Sequence, residues 1–544
     1  MRKLIPLVAL SAVIALPLAS YAQKSDATTN PAPTALSPLN ETSKTTGTVV
    51  VEGQTIHYEA VAGTITVGST DAQNAALGPN GEPLPGTAAP VKNPLDAPAT
   101  AKIFYVAYFK QGADLNKRPI TFFYNGGPGS STVWLHMGAF GPRRVSTPGD
   151  THLPAAPYSL VNNNYSLLDA TDLVFIDAPG TGFSRIYGQD APKAFWGVDQ
   201  DANAFARFIN RFVSRYDRWN SPKYLFGESY GTTRSAVLSQ ILTNNYNMDL
   251  NGVILLSQVL NYADGVDQPQ LDPDNDNPYF LSLPSYAAIA WYHHKVPNQN
   301  NDLEGLVKQA ENYAMGEYMH ALSLGNTITP AEKQAVAQKL YSFTGIPADY
   351  WVRANLRVNG GMFEKELQIQ DDLTTGRLDA RFSGPTIDPM SESAAYDPQS
   401  AAISSAYVSL FNQYVRNVLH FGDGLTYQPE ANFGDHVWDM QHTSPIGSLA
   451  GSGLSLNVMP DLAFAMKSNP KMKVMLNVGY YDLATPFFAA LFEEHHLNIP
   501  SYLDKNITYE YYRSGHMVYV NEPSLHRLHD NVADFIDSTD AGNQ

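Results

Sequence analysis

The 544-residue chain carries 52 acidic against 35 basic residues, a formal charge of −17 that repels nucleic acids and anionic membrane surfaces and sets both aside as partners. Its 44% hydrophobic and 16% charged residues are ordinary for a globular protein with one large core or two smaller ones. Cysteine is absent, which excludes disulfides, a thiol nucleophile, thiolate metal ligation and a lipid-bearing cysteine anchor.

Residues 1–22 place Arg2 and Lys3 before an apolar run that ends in small residues, the pattern of an export signal cut after Ala22. The run is broken by Pro17 and is short for a membrane span. No later stretch approaches about 18 consecutive apolar residues, so no membrane insertion is expected after cleavage. Residues 23–46 are rich in Ser, Thr, Pro and Asn and poor in large apolar groups, which predicts a flexible tether.

From residue 47 to 264 short apolar runs alternate with helical spacing. The runs "AKIFYVAYFK" (101–110), "ITFFYN" (120–125), "DLVFID" (172–177), "YLFG" (224–227) and "GVILLS" (252–257) read as buried strands, and "WGVDQDANAFARFINRFVSRYDRW" (196–219) as a helix. Strand and helix in turn predict an α/β fold with a mostly parallel sheet covered on both faces. Between about 265 and 460 the strand rhythm lapses and the chain turns helical, as in "TPAEKQAVAQKLYSF", where Thr329, Pro330 and Glu332 form a capping signature; this reads as an inserted cap. The rhythm returns over 461–544 with "KVMLNV" (473–478) and "ITYEYYR" (507–513).

The chemistry concentrates at strand ends. Gly227-Glu-Ser-Tyr-Gly231 follows a strand and precedes a helix, the setting in which a sharp turn lifts a serine hydroxyl above the sheet. Ser229 is the candidate nucleophile, and it needs a base and a carboxylate to orient that base. Asp482 and His516 each fall just after a strand, in the chain order Ser, acid, His that such a sheet requires. The glycine-rich loop "NGGPGSS" (125–131) follows another strand, and the amides of Gly127 and Tyr230 are the natural oxyanion donors. His293–His294 and His495–His496 read as packed or solvated rather than metal-bound, and "DPDNDNP" (272–278) lacks the glycine and glutamate of a calcium loop and reads as a turn. No metal and no cofactor is expected.

The motifs Asn125-Gly-Gly-Pro-Gly-Ser-Ser131, "NNYSLLDATDLVFIDAPGTGFS" (163–184), Gly227-Glu-Ser-Tyr-Gly231, Asp482 and "SGHMV" (514–518) together resemble the serine carboxypeptidase family. The segment "NPYFLSLPSYAAIAWYHHK" is similar to its bacterial members. The resemblance implies an α/β-hydrolase fold and an exported serine exopeptidase, periplasmic or extracellular, that removes C-terminal amino acids from peptides through an acyl-enzyme. It implies Ser229, His516 and Asp482 as nucleophile, base and orienter, and Asn125, the Gly126 amide and Glu228 as binders of the substrate's free α-carboxylate. Two carboxylates repel, so Glu228 must be protonated to grip one, which burial favours.

Three positions depart from the family pattern. Ala139 stands where members often carry a second glutamate bonded to the first, Phe123 where a tryptophan is usual, and Ser130 where the glycine-rich loop usually has cysteine. The same triad serves esterases, acyltransferases and aminopeptidases of this fold, and only Asn125 with Glu228 speaks against them. A dead hydrolase scaffold used for binding disagrees with the retained triad and oxyanion loop.

Overall fold

In the computed structural model the described residues are 40–87, 96–446 and 455–541; the leader at 1–22 and residues 23–39 of the tether lie outside them. Among these described residues the main sheet has ten strands. In chain order they are β1 (Thr42–Val51), β2 (Gln54–Gly68), β3 (Thr100–Lys110), β4 (Ile120–Tyr124), β5 (Asp172–Ile176), β6 (Arg185–Tyr187), β7 (Lys223–Glu228), β8 (Gly252–Leu256), β9 (Lys473–Gly479) and β10 (Ile507–Tyr512). Across the sheet the order is β1-β2-β3-β5-β4-β7-β8-β9-β10, with β6 beside β3. From β5 to β10 every neighbouring pair is parallel. The remaining pairs are antiparallel.

β1 begins at Thr42, inside the stretch read as tether. Its threonines and valines offer little apolar area but suit an extended backbone, and a two-residue turn at Glu52 and Gly53, both at positive φ, folds it onto β2. Ahead of the strand, the carbonyl of Glu41 accepts from the Thr64 amide at 2.8 Å and its carboxylate pairs with Lys102 at 2.6 Å. Backbone pairing, which composition does not report, orders this segment.

Every residue of β4, β5, β7 and β8 is buried, as a sheet covered on both faces requires. Alternation divides neighbouring side chains between the faces. Phe122 points to Phe212 of helix α1 (Val198–Arg215), with ring centroids 5.7 Å apart, while Phe123 packs on Phe175 at 4.9 Å on the other side. Helix α2 (Tyr230–Tyr246) follows β7 directly.

Among the described residues between β8 and β9, none forms a strand of the main sheet. This stretch holds α3 (Asn277–Tyr292), α4 (Leu303–Tyr313), α5 (Pro330–Thr344), α6 (Pro398–Asn417) and α7 (Met459–Ser468), and belongs to the same compact unit as the sheet. At the start of α5 both bonds of the Thr329–Glu332 capping box form. Residues 272–275 make a turn, and Asp276 is bonded through both oxygens to Arg357. After α6, residues 421–446 form an extended strap. Among the described residues no helix is long and apolar enough to cross a membrane.

Candidate active site

Ser229 sits between β7 and α2 at φ 61°, ψ −130°, a strained conformation for a residue with a Cβ. Flanking glycines make the turn possible. A Cβ on Gly227 would lie 2.1 Å from the Gly231 carbonyl oxygen, and one on Gly231 would lie 2.8 Å from that of Tyr124. The Ser229 amide donates to Leu256 O at 3.0 Å, and Thr232 N donates back to Ser229 O at 2.8 Å, so the strain is held from both sides. The side chain is half-buried.

His516 follows β10, and Asp482 follows β9. The His516 Nδ1 donates to Asp482 Oδ2 at 2.8 Å, which leaves Nε2 as the free acceptor. The Asp482 carboxylate also accepts from the amides of Ala484 (2.8 Å) and Thr485 (3.0 Å) and from the Thr485 hydroxyl (2.7 Å), so its orientation is fixed. The His516 carbonyl accepts from Ser257 Oγ at 2.7 Å. Leu256 and Ser257, adjacent at the end of β8, thus hold the nucleophile's loop and the base's loop together. Burial opposes a charged His516, but the Asp482 charge and hydrogen bond, with Glu228 behind them, outweigh it and raise its pKa.

Asn125 follows β4 and opens the glycine-rich loop. Gly126 lies so close to the nucleophile turn that a Cβ there would be 2.4 Å from Tyr230 N; only glycine allows that approach. Among the described residues, the amides of Gly127 and Tyr230 have no acceptor, and they flank this contact. The loop is pinned to α2 by Arg234, wholly buried, which donates to the Asn125 carbonyl at 2.8 Å and to Asp201 of α1 at 2.6 Å. The strap covers its far side. Ser131 N donates to Pro429 O (2.8 Å), Ala431 N to Gly129 O (2.7 Å), and Ser130 Oγ to Glu430 (2.9 Å). Beyond those bonds Trp438 packs edge-on against Tyr230 at 5.4 Å.

Glu228, the last residue of β7, is 3% exposed. Burial raises its pKa to about 7, against the opposing pull of His516, the Tyr519 hydroxyl and the Asn125 side chain. The acid is therefore neutral in part at neutral pH without a second carboxylate beside it. Ala139 is buried in the turn Leu135–Phe140, and the neighbouring Gly138 is covered by the Tyr519 ring. The Tyr519 hydroxyl donates to Glu228 Oε2 at 2.9 Å.

Sequence reasoning brought Ser229, Asp482, His516, Asn125, Gly126, Gly127, Glu228 and Tyr230 forward, and the fold gathers them at the ends of β4, β7, β9 and β10. It missed Tyr519, Thr485 and the Asp201–Arg234 pair. Thr485 had a signal, lying three residues after Asp482 as a hydroxyl that bonds back to a turn aspartate does. Phe123 is fully buried in the core rather than presented to a ligand. Away from this cluster, His293 bonds the Ala380 carbonyl and His496 the Phe492 carbonyl.

A profile of the serine carboxypeptidase family matches residues 94–490, which takes in Asn125, Glu228, Ser229 and Asp482 and stops short of His516. Serine carboxypeptidase-like 29 of Arabidopsis thaliana is 30% identical over 150 residues, covering 27% of this chain and 30% of that protein. The pheromone-processing carboxypeptidase KEX1 of Candida dubliniensis is 28% identical over 162 residues, covering 27% of this chain and 22% of its own length. The chain thus aligns with less than a third of either relative. Among solved structures, the prohormone-processing carboxypeptidase KEX1(Δ)p of Saccharomyces cerevisiae superposes with a TM-score of 0.52 over 88% of this chain and 91% of that one, at 16% identity, which shows the α/β-hydrolase fold. By the extent of the profile match, the chain belongs to the serine carboxypeptidase family.

Proposed function

We propose that this chain is a serine-type carboxypeptidase that releases C-terminal amino acids from peptides. One observation carries the reading: a buried acid, Glu228, stands immediately before the serine of the nucleophile turn, where burial favours its protonated form. An esterase or aminopeptidase has no use for a neutral acid there. A carboxypeptidase does, because a protonated Glu228 can donate to the terminal carboxylate that distinguishes its substrate. Asn125 and the Gly126 amide supply the other donors.

With the peptide so held, the Ser229 hydroxyl gives its proton to His516 Nε2 as Oγ bonds to the last peptide carbonyl carbon. The oxyanion is received by the Gly127 and Tyr230 amides. The intermediate collapses as His516 returns the proton to the leaving amine, and the C-terminal amino acid departs. Water then attacks the acyl-enzyme, giving its proton to His516, and Ser229 leaves with that proton.

The competent state needs Glu228 protonated and His516 neutral. That is one proton on the two groups, the same count as an ionised Glu228 beside a charged His516, so the pH profile belongs to the pair. A bound substrate carboxylate repels the ionised Glu228 and draws the proton onto it.

The leader over residues 1–22 supports export, to a bacterial periplasm or the medium, with peptides bearing a free C-terminus as substrates. The test compares an N-blocked dipeptide with its C-terminal amide, alongside fluorophosphonate labelling of the wild type and Ser229→Ala. The reading expects at least a tenfold preference in kcat/KM for the free acid and loss of labelling in the variant; equal rates on acid and amide overturn it.

A further inference from the structure

We propose that Tyr519 fixes where Glu228 carries its proton, and so sets the pH range over which the site holds a peptide's terminal carboxylate. The inference rests on the carboxypeptidase reading for its consequence but on the side-chain geometry for its content. Tyr519 lies in the short turn Val518–Val520, directly after His516, and is 3% exposed. Its hydroxyl donates to Glu228 Oε2 at 2.9 Å. Its ring is seated on Gly138, where an added Cβ would come within 2.7 Å of it, and the adjoining Ala139 offers no polar group. The phenol is therefore held against the acid by shape as well as by its bond.

Two consequences follow. A hydroxyl that spends its one hydrogen on Oε2 leaves the acid's own proton on Oε1, the oxygen free to donate to a ligand. The same bond is stronger to the ionised carboxylate than to the neutral acid, so Tyr519 favours the ionised form and holds the Glu228 pKa below the value that burial alone would give. The other groups bearing on Glu228 are His516 and the Asn125 side chain, which lower its pKa, and Asp482, which raises it; the buried Tyr407 also faces it. Tyr519 is itself pushed well above the usual phenol value, by burial first and by Glu228 next, so it remains a donor throughout the working range.

The experiment titrates Glu228 directly by infrared difference spectroscopy, following the carboxylic C=O band that Glu228→Gln removes, and in parallel follows KM for an N-blocked dipeptide from pH 5.5 to 9. In the wild type both midpoints are expected near 7. In Tyr519→Phe both are expected to move up by about one pH unit, the effect of losing one hydrogen bond to a charged group. A midpoint that stays or moves down overturns the inference, since a merely structural tyrosine would not shift the titration upward. In a Glu228→Gln background, Tyr519→Phe should leave the pH dependence of KM unmoved; a shift there also overturns it. Should Tyr519→Phe not fold, Gly138→Ala, whose Cβ presses the ring away from the acid, is expected to move the midpoint in the same direction. If the protein releases no C-terminal residue at all, the proposed function fails, while the infrared midpoint still decides the role of Tyr519.

Discussion

Replacing Glu228 by glutamine separates the acid's hydrogen bond from its charge. The amide keeps the shape of a protonated glutamic acid: its oxygen can accept from Tyr519 as Oε2 does at 2.9 Å, and its nitrogen can donate to a substrate carboxylate. In the wild type the pKa of about 7 means that at pH 8 roughly one acid in ten is protonated and at pH 9 about one in a hundred. A site competent only when Glu228 is neutral then shows KM rising about tenfold at pH 8 and about a hundredfold at pH 9 over its acidic value, about 1.4 kcal/mol per pH unit. Glu228→Gln should flatten that rise. In the substrate complex Glu228 is already neutral, so the acidic limb of kcat, which reports His516, should stay where it is in the variant. The assay is initial-rate kinetics on a peptide with a free C-terminus from pH 5 to 9. A variant whose KM climbs as steeply as the wild type's, or a wild type whose KM is flat, would show that the charge state of Glu228 does not govern binding.

Other perturbations address the parts that hold the site. Gly126→Ala places a Cβ 2.4 Å from Tyr230 N and should push the two oxyanion amides apart, lowering kcat by about 10²–10³ and, because the Cβ meets backbone that cannot yield cheaply, lowering the unfolding midpoint as well. Asp201→Ala strands the buried Arg234 and should cost about 3–5 kcal/mol in urea unfolding, with loss of activity because Arg234 also fixes the Asn125 carbonyl. His442 bridges Asp199 at 2.6 Å and Asp461 at 2.9 Å. Although burial disfavours its charge, the two bonded carboxylates raise its pKa to about 9. A histidine raised on folding adds stability in full below its unfolded value of about 6.5 and loses it as pH climbs through 9. The unfolding midpoint should therefore fall between pH 6.5 and 9.5, and His442→Gln should show a smaller fall over that range.

The parallel half of the sheet was legible because fully buried strands concentrate apolar residues into short runs such as Gly252–Leu256, bounded by polar turns. The antiparallel start was not, because β1 is a partly exposed strand of threonines whose pairing with β2 is made by the backbone. Ser229, Asp482 and His516 were legible because each follows a strand in a characteristic local pattern. Tyr519 was not: its role depends on Glu228, 291 positions away, and on the space left above Gly138. The strap was hidden for a related reason. Residues 421–446 hold the glycine-rich loop through backbone bonds and single side chains such as Glu430, which leave no period in the sequence. Burial pushes Glu430 to about 7 as well, so its neighbourhood resembles that of Glu228 in charge but not in position relative to the nucleophile.

The most direct measurement incubates the purified protein with one defined peptide, free at both ends, and reads the products by mass over time. Stepwise shortening from the carboxyl end, abolished by Ser229→Ala, is the predicted outcome. Shortening from the amino end, internal cleavage, or undiminished trimming in the Ser229→Ala variant would contradict the account.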